Sequence, residues 1–345
     1  MIPGFYIFKI MESLEKLIKR YRELGIDSQI DYQKFYLYSI ITHSTAIEGS
    51  TVTEIENQLL FDKGISAKGR TIEEQMMNLD LKMAYEQSIA FAQKGENFSV
   101  EMLKRLSSLI MKNTGSEYNT ALGSFSSANG DLRLLNVSAG IGGRSYMSFT
   151  KVPAKLEDFC HSLNECRSLA KNLDVDSLYK MSFDAHYELV TIHPWADGNG
   201  RMARLVMNQI QFENNLIPMR VLKEDKEEYV KSLAQSQEQS NPKIFVDFMT
   251  ESMARNLENE IKTFLQSTEM GGENTKMGGE NEKRGEKTSL LILSKLKNDP
   301  RMTSAELASA LEISPKAVEK QIARLKKSGK LLRIGPDKGG YWEVP

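Results

Sequence analysis

His193-Pro194-Trp195-Ala196-Asp197-Gly198-Asn199-Gly200-Arg201-Met202-Ala203-Arg204 puts a titratable base, a carboxylate, a Gly-Asn-Gly turn and two arginines at one junction between a turn and a helix. Glycines can take positive φ and leave backbone N–H groups uncovered. A Gly-x-Gly turn that opens a helix therefore forms a concave anion site, reinforced by the helix dipole. Once the helix starts near Asn199, Arg201 and Arg204 stand three apart on one face, and their forked donors can grip further phosphate oxygens. Asp197 lies just outside the turn, where a carboxylate can help hold Mg2+, a cation that prefers a few hard oxygen ligands plus water. His193, near its ordinary pKa, can take a proton from an attacking hydroxyl. Each feature alone has a bland reading: a packed histidine at a helix end, a plain turn, a solvated pair of arginines. Their coincidence in one short stretch points to phosphate chemistry.

Outward from that junction the chain reads as mainly α. Apolar residues recur at helical spacing over Met11–Leu24, Asp31–Thr45, Thr71–Gln93 (Ile72, Met76, Leu79, Met83, Ile89) and Ser99–Lys112, with stops at Gly25 and Gly95. Thr53-Glu54-Ile55-Glu56 has the pattern of a capping box, and Ser99 that of an N-cap. After the junction, Gly200–Asn214, Lys226–Gln239 and Pro242–Gln266 complete the helical set, and Lys155–Lys171 and Asp176–Val190 precede it. Between Gly123 and Thr150 the composition turns to Gly, Ser and Asn. There Leu132–Val137 and Arg144–Phe149 flank Gly140-Ile141-Gly142-Gly143 and predict a β-hairpin. Ser44 and Glu48, four apart before Gly49, read from the residues alone as a polar helix end.

The 345 residues allow two or three domains, and 45 basic against 46 acidic residues give no overall steering toward nucleic acid or anionic membrane. Cys160 and Cys166 are too few for a disulfide framework, and no run reaches a membrane span, so the expectation is a cytoplasmic protein with no membrane partner. Residues 268–286 are polar, repeat Met-Gly-Gly-Glu-Asn at Met270 and Met277, and read as a linker. Beyond it, Lys287–Lys297, Thr303–Leu311 and Ser314–Lys327 read as three short helices, followed by Leu331–Ile334 and Tyr341–Val344 as a two-stranded wing. This looks like a winged helix-turn-helix. From Glu286 onward twelve Lys or Arg face seven Asp or Glu, with Lys316, Lys320, Arg324 and Lys327 along the third helix. Contact with DNA or with another protein is the expectation for this tail.

The junction resembles the motif His-Pro-Phe-x-x-Gly-Asn-Gly-Arg of the Fic (filamentation induced by cAMP) family of adenylyltransferases, with Trp195 in place of the usual Phe. The likeness extends over about residues 30–265, with sharp motifs only at His193–Arg204 and Ser44–Gly49. It implies a Fic-type helical core with a small β-hairpin flap, and transfer of AMP from ATP to a Tyr, Thr or Ser hydroxyl of a target protein. His193 would be the base, Asp197 the Mg2+ ligand, and Gly198, Asn199, Gly200, Arg201 and Arg204 the nucleotide-binding residues. Ser44, Glu48 and Gly49 would belong to an inhibitory helix whose glutamate blocks Arg204. The flap residues Gly143, Arg144, Ser145, Tyr146 and Met147 would hold the target by strand pairing. The resulting partition is 1–110 (N-terminal helical region including the inhibitory helix), 111–267 (catalytic core), 268–286 (linker) and 287–345 (winged helix), with a homodimer allowed. Three alternatives stay open: removal of AMP with Glu48 activating water, transfer of another nucleotide or phosphoryl group, and a DNA-binding regulator with a nucleotide-sensing core.

Overall fold

The computed structural model describes residues 13–139, 143–300, 302–310, 318, 321–322, 325–326, 331–334 and 341–343. The chain falls into two compact units, Met1–Ile261 and Lys262–Pro345. In the first, α1 (Leu14–Glu23) starts at Ser13, whose side chain accepts from Lys16 N, and ends before Gly25 at φ +68°. α2 (Tyr32–Ile47) leads into α3 (Glu54–Lys63) and α4 (Ile72–Lys94). The expected capping box at Thr53 and Glu56 is present, and Thr71 with Glu74 forms a second. α5 (Val100–Ile110) is capped by Ser99.

α6 (Val152–Ser168), α7 (Val175–Ile192), α8 (Asn199–Glu213) and α9 (Lys226–Glu238) follow. α8 packs against α2, α4, α5 and α7. Its Met202, Ala203, Leu205, Val206, Met207 and Ile210 are fully buried, and so are Asn208, Gln209 and Gln211. A helix buried on all faces must satisfy its polar groups internally. Asn208 Oδ1 accepts from Tyr85 OH at 2.7 Å, Gln209 Oε1 from Ser88 Oγ at 2.9 Å, and Gln211 Nε2 donates to Ser182 Oγ at 2.9 Å. These bonds fix the register of α8, and hence of the arginines at its start.

Two expectations for the first unit need correction. The face of α4 that is buried carries Gln75, Asn78, Leu81, Ala84, Tyr85, Ser88 and Phe91, whereas Ile72, at the head of the predicted stripe, is 75% exposed. The interior at this helix is partly polar: Asn57 Nδ2 and Thr45 Oγ1 each donate to Asn78 Oδ1 at 2.8 Å, which an apolar period does not register. The second correction is the hairpin. The regular two-stranded sheet is β1 (Glu117–Thr120) with β2 (Gly123–Ser126), ahead of the predicted position. Residues 132–149 do fold back, but through one antiparallel bridge, Ser138 to Ser145, supported by Ala139 N to Arg144 O and Tyr146 N to Val137 O, each 3.0 Å. The carbonyls of Leu135 and Met147 accept from the Arg133 guanidinium, and Phe149 N donates to Asn136 Oδ1, so side chains take groups a ladder would have used. Gly140, Ile141 and Gly142 lie outside the described residues.

α10 (Pro242–Asn298) carries the backbone as helix through residues 268–286, where the sequence predicts a polar linker. Helical flanks explain this locally, since propagation adds a hydrogen bond per residue without new nucleation. In the second unit α11 (Ser304–Ala310) and the pair β3 (Leu332–Ile334) and β4 (Tyr341–Glu343) are present, the strands antiparallel as a wing requires. Its core gathers Ile292, Leu296, Leu307, Ala308, Val318, Ile322, Leu325 and Leu331. Lys316, Lys320, Arg324 and Lys327, expected along a third helix, lie outside the described residues. Among the described residues no helix is long and apolar enough to cross a membrane.

Candidate active site

The site is built where α7 ends and α8 begins. α7 terminates at His193, whose φ of +52° is unusual for a residue with a Cβ and turns the chain sharply before Pro194. Asn199 clamps the turn: its side chain donates to Trp195 O at 2.9 Å and accepts from Trp195 N at 3.1 Å. That side chain is buried and committed, so only the Asn199 backbone faces the cradle. Trp195 is fully buried, as expected of a packing residue, and its indole donates to Gly130 O at 3.1 Å. Gly198 sits at φ +81°, a conformation that favours glycine, and a Cβ there would press on the Met111 sulfur at 3.0 Å.

Burial depresses His193 to a pKa of about 4, with the Arg133 charge adding to the effect and the Val190 carbonyl and Asp197 opposing it. The imidazole is therefore neutral at pH 7. Its Nδ1 lies 3.3 Å from Val190 O, and a proton donated there leaves Nε2 free to accept one. Tyr146 stacks on the ring, centroids 3.7 Å apart and planes 18° from parallel. The structure thus brings one of residues 143–147 onto the His193 ring.

Arg201 is 3% exposed, and its Nε and Nη1 have no hydrogen-bond partner; Nη2 reaches the Met111 sulfur at 3.1 Å and lies 3.7 Å from Asp197 Oδ1. Burial lowers its pKa, and Glu48 and Asp197 counteract that. Buried, unpaired guanidinium donors at a helix N-terminus are groups that an anion would satisfy. Asp197 is more than half exposed and accepts from Gly198 N. Among the described residues no cluster of three metal-ligating side chains exists. A single exposed carboxylate suits Mg2+, which takes its other ligands from substrate phosphates and water.

Arg204 is held from the opposite side. Its Nε donates to Ser44 Oγ at 2.8 Å, Nη2 to Ser44 O at 3.0 Å and to Glu48 Oε1 at 2.6 Å, and Nη1 reaches Tyr229 OH at 3.4 Å. Burial alone would raise the Glu48 pKa; the charge and hydrogen bond of Arg204, with Arg201 and Lys226 behind them, outweigh it and lower it. A Cβ on Gly200 would lie 2.9 Å from Glu48 Oε1, so the carboxylate stands directly over the first turn of α8. Ser44 is buried near the end of α2, and Gly49 follows at φ +110°. Ser44, Glu48 and Arg204 are thus brought together, and Gly49 ends the segment.

Three residues of this arrangement escape a reading of the sequence. Tyr229, on α9, contacts Arg204 and lies with its hydroxyl 2.9 Å from His186 Nε2. Arg133 binds the carbonyls of His193, Leu135 and Met147. Asp80, buried and shifted upward by its burial, accepts from Asn113 N and Nδ2 behind Arg201. None belongs to a spaced motif, so no local signal marks it.

The fold and this constellation are similar to those of Fic-domain proteins, and the C-terminal unit is similar to a winged helix-turn-helix. Residues 97–211 match the Fic/DOC family, and residues 286–331 match the winged helix-turn-helix DNA-binding family. The first match includes His193–Arg204 and residues 143–147 and leaves Ser44–Gly49 outside. The chain is similar to a protein adenylyltransferase Fic of Nematostella vectensis, 28% identical over 234 residues, covering 66% of this chain and 48% of that one. It is also similar to protein adenylyltransferase fic-1 of Caenorhabditis elegans, 24% identical over 58% of this chain and 36% of that one. It therefore spans less than half the length of these relatives. A Fic domain containing signaling protein from Bacteroides thetaiotaomicron shares the fold, with a TM-score of 0.60 at 20% identity over 73% of this chain and 97% of that one.

Proposed function

We propose that the protein transfers AMP from ATP to a hydroxyl side chain of a target protein, and that Glu48 holds this activity in check. The observation that carries the proposal is the pairing of a neutral, part-buried His193 with the unpaired donors of Arg201 across the N-terminus of α8. His193 Nε2 takes the proton as the target oxygen attacks the α-phosphorus; the bond from that phosphorus to the bridging oxygen breaks and pyrophosphate leaves. The backbone N–H groups at the start of α8 and the Arg201 guanidinium face the charge that builds on the phosphate oxygens. Mg2+, when bound, neutralises phosphate charge, and Asp197 is the residue that would hold it. Arg204 orients the γ-phosphate once Glu48 has withdrawn. Residues 143–147 present the target through backbone pairing, with Tyr146 against the base.

The relatives named protein adenylyltransferase support this chemistry. The test incubates the full chain with Mg2+ and, in parallel, ATP labelled on the α-phosphate or on the γ-phosphate, with and without cell lysate, and reads label and added mass on protein. Covalent AMP is the expected product. Label transferred from the γ-phosphate instead, or no label even after Glu48→Gly, rejects the reading. For the tail, the match to a DNA-binding winged helix supports contact with DNA; salt-dependent retention on duplex DNA, lost on deletion of residues 287–345, is the expected result.

A further inference from the structure

Arg133 lies between β2 and α6 with its side chain 1% exposed. Among the described residues it faces no carboxylate; burial lowers its pKa. Its donors go to three backbone carbonyls instead: Nε to His193 O at 2.8 Å, Nη1 to Leu135 O at 2.8 Å and Nη2 to Met147 O at 2.6 Å. Its backbone N–H donates to Pro194 O at 3.1 Å. These carbonyls belong to three passages of chain: the catalytic turn, the outgoing arm of the flap and its returning arm. Only a planar fork reaches all three, since an ammonium is a point donor on a flexible stem. Burying an arginine without a counter-charge is expensive, and a neutral side chain would fill the same space at less cost.

What the arrangement secures is geometric. Met147 follows Tyr146, which stacks on the His193 ring, so the guanidinium fixes both the carbonyl of the base and the backbone beside the group lying over it. We propose that Arg133 is a positioning residue for AMP transfer, setting the distance between the His193 base and the backbone edge that presents the target hydroxyl. This rests on the function proposed above. None of the gripped residues is among those assigned above to the nucleotide, so nucleotide affinity is expected to hold when the grip is lost.

The test uses full-length Arg133→Lys, which keeps the charge and loses the fork, and Arg133→Met, which removes the buried charge at similar volume. Both are compared with wild type by kcat and KM for a purified lysate protein that the labelling assay identifies as the target, by ATP affinity, and by hydrogen exchange at the amides of Ala139 and Tyr146. Loss of alignment of reacting atoms predicts a kcat lower by roughly 100-fold. KM for the target should rise, ATP affinity should hold, and the two amides should exchange faster. A variant that melts lower but retains wild-type kcat and target KM overturns the proposal, as does a fall in ATP affinity matching the fall in kcat. If neither variant folds, the residue is structural and the proposal falls. The exchange measurement needs no catalysis, so a wild-type protein that transfers no AMP would refute the proposed function while the grip is still judged on its own.

Discussion

Glu48→Gly isolates the charge pair from the rest of the site. The Arg204 side chain is 3% exposed and that of Glu48 is 32% exposed. The pair thus stands between a surface bridge, contributing up to about 1 kcal/mol, and a fully buried one, whose rupture costs about 3–5 kcal/mol. Ser44 Oγ, Ser44 O and Tyr229 OH remain on the guanidinium when the carboxylate goes. That places the loss near the lower end, at about 1–2 kcal/mol. For a unit of this size about 1 kcal/mol moves Tm by about 2–4 °C, so the variant is expected to melt about 2–8 °C below wild type. The same free energy returns on the nucleotide side, because ATP no longer has to displace the carboxylate; about 1–2 kcal/mol corresponds to roughly 5–30-fold tighter binding. ATP should therefore raise the Tm of the variant by more than that of wild type.

The rate should change by more than the affinity. Glu48 Oε1 stands over the first turn of α8, where a phosphate would seat, and misaligned reacting atoms cost roughly 100-fold in rate. Thermal unfolding with and without ATP, an ATP titration and labelling from α-phosphate-labelled ATP make up the assay. Self-modification should rise in Glu48→Gly and vanish in Glu48→Gly combined with His193→Ala. Unchanged ATP affinity together with unchanged labelling would refute the reasoning and return Ser44–Gly49 to the status of an ordinary helix end.

His193→Ala should lower transfer by about 100- to 10,000-fold, the usual range for a general base, with ATP binding retained, as single-turnover labelling and a binding titration would show. In a pH series at saturating Mg2+, kcat/KM should stay level through pH 6 and fall with a pKa of about 4, where an unperturbed histidine would already fall near 6.5. Folding stability carries the same sign. The unfolded imidazole binds a proton below about 6.5 that the folded one refuses until about 4, so stability should decline across that window as pH falls. Removal of residues 268–345 should leave ATP binding and self-modification intact, because Phe245, Met249, Met253, Leu257 and Ile261 of α10 are already buried within the first unit. Loss of ATP binding in that truncation would show that the two units share a core.

Legibility in the sequence followed the range over which each feature is determined. His193–Arg204 was readable because every part of the cradle is local: positive φ at Gly198, the helix start at Asn199 and the three-residue spacing of the arginines. α4 was readable as a helix, from its spaced apolar residues and the stop at Gly95, but not in its orientation. Its inward face is chosen by Asn78, Gln75 and Ser88 finding partners on other segments, and an apolar period carries no record of those partners. Ser44 and Glu48 could be matched to a pattern, yet their contact with Arg204 spans about 160 positions and depends on α2 and α8 packing together.

The flap shows the limit most sharply. Turn residues around Gly140 correctly indicated that the chain folds back, but strand propensity placed a ladder where a guanidinium does part of the joining. Arg133 looks from the sequence like one more cation in a polar loop. Only the fold reveals that the His193 carbonyl, turned out by the left-handed conformation of that residue, meets the same side chain as the returning arm at Met147. The left-handed backbone of His193 and the incomplete ladder of the flap thus share one physical consequence: carbonyls left without regular partners, gathered by one buried arginine.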